Sequence, residues 1–234
     1  MREGAVNLIR YAEYGIRVAR NSRRRYRNLF TLIARSRARR ILEIGTWNGR
    51  HARDMIRTAS VWHDPATVQY FGFDLFEQST ADDLAKEFTP KIPPREDEVR
   101  QYLAATGASV TLYKGYTRDT LPRVAGSLPV IDFAFIDGGH SIETVRGDWA
   151  VVQTLVRPHS VVVFDDYYQI DDRLKDLGCR PVIEELDRDR YDVEVLEPAE
   201  VARLPSGTLR IQMVVVRPRP GTGHADHTPL VSSG

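Results

Sequence analysis

At 234 residues the chain is long enough for one α/β domain with a full core and short extensions. Its 42% hydrophobic and 28% charged residues are those of a globular protein, and no run approaches the roughly 18 apolar residues of a membrane span. The net charge of +1 hides an asymmetry, because residues 1–40 carry twelve arginines against two glutamates and leave an acidic remainder. Such a segment reads as a solvated helix face, or as one that docks on the acidic body or on a second subunit. Nucleic acid is disfavoured as its partner, since nucleic-acid binders carry a basic excess overall.

Over residues 5–34 apolar positions recur at helical spacing (Leu8, Ala12, Ile16, Ala19, then Leu29, Leu32 and Ile33) around the cluster Arg23-Arg24-Arg25. Two helices with a basic elbow are predicted, forming an extension over 1–37 ahead of a domain over 38–217. The stretch from Arg40 to Ala52 organises the rest: an apolar run, Gly45, Gly49, and a helix over 49–60. It reads as a buried strand, a tight turn and a helix whose N-terminus faces a ligand. Gly45 opens a backbone conformation closed to other residues, and Gly49 is expected to let the chain approach the ligand without a Cβ in the way. Glu43 ahead of the turn, and Trp47 where a dinucleotide fingerprint needs its second glycine, suit an ammonium or sulfonium better than a diphosphate.

A second strand over 68–74 ends on Asp74, placed to accept hydrogen bonds from two ribose hydroxyls outside the carboxyl end of a doubly wound sheet. Residues 76–98 are polar and punctuated by Pro90, Pro93 and Pro94, which predicts a lid insertion. A helix over 97–105 and a strand over 109–113 deliver Lys114-Gly115-Tyr116. The strand over 130–137 closes on Gly138-Gly139-His140, and the helix over 141–156 takes Ser141 as N-cap with Glu143 in its first turn. The strand over 160–164 delivers Asp165-Asp166-Tyr167-Tyr168. A helix over 171–186, broken near Gly178 and Pro181, precedes strands over 191–196 and 209–216, read as an antiparallel pair about a Pro-Ser-Gly turn. Residues 218–234 are expected to be a disordered tail.

Right-handed crossovers bring the ends of the first, second, fourth and fifth strands to one cleft. Asp137, Asp165 and Asp166 would then converge and raise each other's pKa values. A hard divalent cation relieves that repulsion, and an oxygen-only set suits Mg²⁺ rather than zinc.

The Glu43-Ile44-Gly45 turn with Gly49 resembles motif I of the class I S-adenosylmethionine-dependent methyltransferases. The block Phe135-Ile136-Asp137-Gly138-Gly139-His140, with Val163-Phe164-Asp165-Asp166-Tyr167 a helix and a strand later, resembles the metal-dependent O-methyltransferases of the macrocin, mycinamicin and novobiocin tailoring type. The resemblance covers roughly residues 41–216. It implies a Rossmann-like, doubly wound, seven-stranded sheet with an antiparallel C-terminal hairpin; a cytoplasmic location is expected instead from the lack of a long apolar N-terminal run or membrane span and from Cys179, the single cysteine, which suits a reducing compartment. The resemblance implies an S-adenosylmethionine site at Glu43, Gly45, Thr46, Trp47, Asn48, Gly49, Asp74, Leu75, Gly115, Tyr116 and Asp137. It also implies a Mg²⁺ site at Asp137, Asp165 and Asp166, and transfer to a hydroxyl of a small molecule such as a natural-product sugar or phenol.

One departure stands at Gly139, where some antibiotic O-methyltransferases carry a second acid as candidate base. His140 is the substitute, with Asp137 beside it as the other catalytic candidate. His51 is in reach of the methionine carboxylate, and Tyr167 and Tyr168 are candidates to wall the acceptor pocket. The arginine-rich segment keeps a nucleic-acid or protein acceptor as an alternative, although a base methyltransferase would carry Asn-Pro-Pro-aromatic where this chain has Ile136-Asp137-Gly138-Gly139-His140. A non-catalytic binding relative of the same fold is the other alternative. The N-terminal helices are candidates for a homo-oligomer contact.

Overall fold

The computed structural model describes residues 8–20, 24–87, 92–169, 177–204 and 207–221. Helices α1 (Leu8–Arg20) and α2 (Arg27–Ser36) flank a 3₁₀ turn at Arg24–Tyr26. The body then runs β1 (Arg40–Ile44), α3 (Arg50–Ala59), β2 (Gln69–Asp74), α4 (Ala81–Lys86), α5 (Glu96–Ala104), β3 (Ser109–Lys114), α6 (Thr117–Ala125), β4 (Phe133–Ile136), α7 (Ile142–Leu155) and β5 (Val161–Gln169). It closes with α8 (Arg180–Glu184), β6 (Tyr191–Val195), β7 (Glu200–Leu204) and β8 (Gly207–Pro218).

The sheet order is β3-β2-β1-β4-β5-β8-β6, parallel through β5 and antiparallel at β8. Alternate residues of the central strands enter two separate cores, as expected where helices cover both faces of a parallel sheet. Ile41, Phe133, Phe135 and Val163 pack under α2, α3 and α5, while Leu42, Ala134, Ile136 and Phe164 pack under α6, α7 and α8. The carboxyl ends of β1, β2 and β4 meet on one edge, with the strand order reversing between β1 and β4, which is where open α/β sheets bind ligands.

The structure has eight strands rather than seven. The extra one, β7, lies beside the first half of β8 (Glu200↔Ile211 to Leu204↔Gly207) while β6 lies beside the second half (Tyr191↔Pro218 to Val195↔Val214). Both strands thus share one edge of the long β8, and seven sheet positions hold eight strands. The chain around Pro205 and Ser206, themselves outside the described residues, joins β7 to β8 rather than β6 to β8. The short α4 and the helix α6 are also additions to the sequence reading. β4 begins at Phe133 rather than at 130, because the Asp132 carboxylate turns back to accept from the Arg39 and Arg40 amides and from the Arg40 guanidinium. The first six residues of the helix expected over 171–186 lie outside the described residues, as does the tail from 222; of the rest, the structure describes α8 as helix.

Ser141 caps α7 as expected, its hydroxyl accepting from the Thr144 amide. Leu8, Ile9 and Ile16 on α1 face outward. Two of its arginines turn inward: Arg10 donates to the Ser60 carbonyl, and Arg17 donates to the Asp54 carbonyl beside that residue's carboxylate. No helix among the described residues is long and apolar enough to cross a membrane.

Candidate active site

A cavity of about 520 Å³ opens over the carboxyl ends of β1, β2 and β4. Of the expected cofactor contacts, Gly45, Thr46, Trp47, Asn48, Asp74, Leu75, Gly115, Tyr116 and Asp137 line it. His51, His140, Asp166 and Tyr168 line it too, whereas Tyr167 packs with the core under α7 and α8.

The turn after β1 is built by close approach. A Cβ on Gly45 (φ +89°) would stand 2.0 Å from the Asp137 carbonyl oxygen, so only glycine lets β1 and β4 meet here. Gly72 plays an unforeseen part in the same layer, since a Cβ there would collide with the Thr46 hydroxyl and the Tyr70 ring at 2.6 and 2.8 Å. Asp74 Oδ2 accepts from the Trp47 amide at 2.7 Å and Oδ1 from the Phe76 amide at 2.8 Å. Burial raises the Asp74 pKa and those backbone donors pull it back. Asp74 lines the cavity, and the four lone-pair sites of its carboxylate exceed the backbone donors that reach it.

Two expected contacts are not on the cavity wall. Glu43 is fully buried beneath the turn, where it accepts from the Tyr70 hydroxyl, which in turn pairs with Thr46 Oγ1. Burial pushes its pKa up to about 8, so at neutral pH the group is largely a protonated acid rather than the negative charge expected for a cationic ligand. Gly49 (φ +71°) is the N-cap of α3, and its bare side abuts Val99 and Leu103 of α5 rather than a ligand. It serves helix packing.

At the other end, β5 carries a bulge. Phe164 pairs with Val214 and Tyr167 with Gln212, so the strand gains a residue across Asp165-Asp166, and Asp166 sits at φ 60°. The bulge explains how two consecutive residues reach one site when a regular strand would send them to opposite faces. Oxygens of Asp137, Asp165 and Asp166 lie within 4.8 Å of one another and line a niche of about 10 Å³, room for one water-sized particle. Asp165 lies behind the main cavity wall.

Two of the three, Asp165 and Asp166, are already compensated. Arg25, from the turn between α1 and α2, places Nη1 2.5 Å from Asp165 Oδ1 and 3.3 Å from Asp166 Oδ1. The Tyr26 hydroxyl donates to Asp165 Oδ2 at 2.9 Å, and His140 Nε2 lies 2.7 Å from Asp166 Oδ2. Burial and Asp166 raise the Asp165 pKa, against Arg25 and Tyr26; for Asp166 burial is outweighed by His140 and Arg25, and its pKa falls. A cation added to these carboxylates would have to displace Arg25 and would lie against like charge. The donor set therefore does not fit a resident Mg²⁺.

His140 has a carbonyl on its other side, with Nδ1 2.5 Å from the Glu87 oxygen. Both ring nitrogens face acceptors, an arrangement that favours the doubly protonated ring over the neutral one. Burial opposes that charge, but Asp166 and the Glu87 carbonyl win, and its pKa is raised. Glu87, at the end of α4, fills the space beside Gly139, where a Cβ would stand 2.6 Å from its carboxylate. That carboxylate accepts from the Ser141 amide and from the Ser141 and Thr144 hydroxyls, and its pKa is lowered. The acid missing at position 139 is thus replaced in space by one that caps α7. Asp148 of α7 also lines the cavity; it is 3% exposed, Oδ2 has no hydrogen-bond partner among the described residues, and burial pushes its pKa up to about 7.

In comparisons with known proteins, no curated sequence matches this chain. Solved structures do, at low identity. A putative O-methyltransferase from Klebsiella pneumoniae is 20% identical with a TM-score of 0.58, over 94% of this chain and 92% of that one. TomG from Streptomyces achromogenes, an O-methyltransferase involved in tomaymycin synthesis and solved with SAM, is 21% identical with a TM-score of 0.57, over 85% and 81%. The Bacillus cereus O-methyltransferase in complex with SAH is 19% identical with a TM-score of 0.57, over 90% and 88%. At this identity they establish a shared fold. The methyltransferase-domain family itself matches residues 42–167, more than half of the chain and a span that runs from β1 through the bulged acids of β5, and the chain belongs to that family.

Proposed function

We propose that the protein transfers the methyl group of S-adenosylmethionine to a hydroxyl of a small molecule. The observation that carries this reading is Asp74, fixed at the tip of β2 by the Trp47 and Phe76 amides with acceptor capacity left over a 520 Å³ cavity, as two ribose hydroxyls require. Leu75, Gly115 and Tyr116 then flank the adenine, and Asp148 Oδ2, with no hydrogen-bond partner among the described residues, offers an acceptor to a ligand donor at the same end. The sulfonium end points towards Gly45, His51 and Asp137. TomG and the Bacillus cereus O-methyltransferase share the fold and are solved with SAM and SAH, which supports this choice of donor and acceptor atom.

The methyl group passes to the acceptor oxygen in one displacement. A C–O bond forms as the S–C bond breaks, S-adenosylhomocysteine leaves, and the hydroxyl proton goes to a base. His140 is that base in its neutral form. Asp166 keeps the proton on Nε2, and the acceptor hydroxyl takes the place of the Glu87 carbonyl at Nδ1. No step is assigned to Mg²⁺, because Arg25 and His140 already neutralise the carboxylates that would hold it.

The test is transfer from methyl-labelled S-adenosylmethionine to a panel of phenols and sugars in the presence of chelator. The expected result is a methyl ether product, with turnover reduced about 10²- to 10⁴-fold in His140→Ala. A product on nitrogen or on nucleic acid, or full turnover by His140→Ala, would refute the corresponding part of the reading.

A further inference from the structure

We propose that Arg25 is a built-in substitute for a divalent cation at the ends of β4 and β5, so that the N-terminal segment completes a cation-independent site. The inference deepens the methyl-transfer reading, but the experiment below is read without cofactor or acceptor and fails independently of it.

Three observations carry it. First, Arg25 stands where the charge problem is: one nitrogen, Nη1, reaches both Asp165 Oδ1 and Asp166 Oδ1, bridging the two acids as a cation would. Second, the side chain is held for that purpose. It is 5% exposed, its guanidinium packs over the Tyr26 ring at 4.8 Å, Nε lies 3.1 Å from Glu200 Oε2, and Tyr26 itself stacks on His51 at 4.1 Å while donating to Asp165. A surface arginine straying into an acidic patch would have none of this support. Third, the remaining Asp166 oxygen is taken by His140, so the two acids of β5 have a donor or cation at every oxygen.

The two kinds of cation differ in chemistry. A metal ion offers open coordination positions and lowers the pKa of a hydroxyl bound to it. A guanidinium has no such positions; it holds the acids in place, keeps its charge at any working pH, and leaves proton removal to another group. Arg25 is therefore a positioning residue: it fixes Asp166, and through Asp166 the orientation of His140.

The experiment is titration of Mn²⁺, followed by electron paramagnetic resonance, into chelator-treated full-length protein. The wild type is expected to show no stoichiometric site into the millimolar range, and Arg25→Met to gain one that binds at least about tenfold tighter. That site should vanish again when Asp165→Asn is added. Tight Mn²⁺ binding by the wild type that is lost in Asp165→Asn would overturn the proposal, and so would a folded Arg25→Met that takes up no Mn²⁺. Should Arg25→Met not fold in chelator, circular dichroism with millimolar Mg²⁺ decides: recovery of the fold supports the substitution, and failure to recover overturns it.

Discussion

The two ends of the cavity solve the same problem, a buried carboxylate, in opposite ways. At the β2 end, Asp74 is satisfied by the amides of Trp47 and Phe76, the latter only two residues away, so its environment belongs to the strand and the turns around it. At the β5 end, Asp165 and Asp166 are satisfied by side chains from distant parts of the chain: Arg25, 140 positions away from Asp165, Tyr26 and His140. Backbone donors come with the fold and survive every substitution except proline. Side-chain donors do not, so the β5 end is the fragile one, and its integrity depends on the N-terminal segment staying docked.

Deleting Arg25 should show the largest effect on stability. Arg25→Ala leaves two adjacent buried acids without their cation, at an expected cost of about 3–5 kcal/mol in denaturant unfolding. Asp165→Asn in the same chain should return part of that loss; a cost below about 1 kcal/mol would mean that the pair is solvated and the contrast between the two ends false.

A smaller effect of opposite sign is expected at Glu43. Its folded pKa of about 8 lies above its ordinary value of 4.5, so between those pH values the folded state holds a proton that the unfolded chain releases. Stability from this residue therefore falls as pH rises through that window. Glu43→Gln should flatten that slope and stabilise the protein at neutral pH by at most a few kcal/mol, visible as a melting temperature that changes less with pH. Because Glu43 is absent from the cavity wall, S-adenosylhomocysteine affinity should stay within a few-fold of wild type; a loss of tenfold or more would return Glu43 to the cofactor site.

Features with local causes were legible in the sequence. The strand, Gly45 turn and helix, Asp74 at the tip of β2, and the Ser141 cap follow from periodicity, glycine and capping chemistry within a few residues. What lay beyond it depended on contacts between distant segments. The bulge that aims both Asp165 and Asp166 at one site is a register shift against β8, which no pattern within β5 announces. A divalent cation is the expectation for the acidic trio, whereas the structure sets Arg25 of the basic elbow against two of the three acids, a contact that no spacing within either segment announces. Glu43 was misplaced for a related reason: a carboxylate next to a glycine turn looks available until Tyr70 and Gly72, one strand away, are seen to enclose it. Strand β7 escaped because its pairing to β8 is by main chain, with Val201 left 55% exposed.

Calorimetric titration of S-adenosylhomocysteine in chelator, on the wild type and on Asp74→Ala, tests the central claim most directly. The account predicts micromolar binding by the wild type that chelator does not change. It predicts a loss of about 100-fold or more in the variant, since hydrogen bonds from two ribose hydroxyls to a charged acceptor disappear together. No heat from the wild type, or undiminished binding by Asp74→Ala, would contradict the assignment of the cavity to this cofactor.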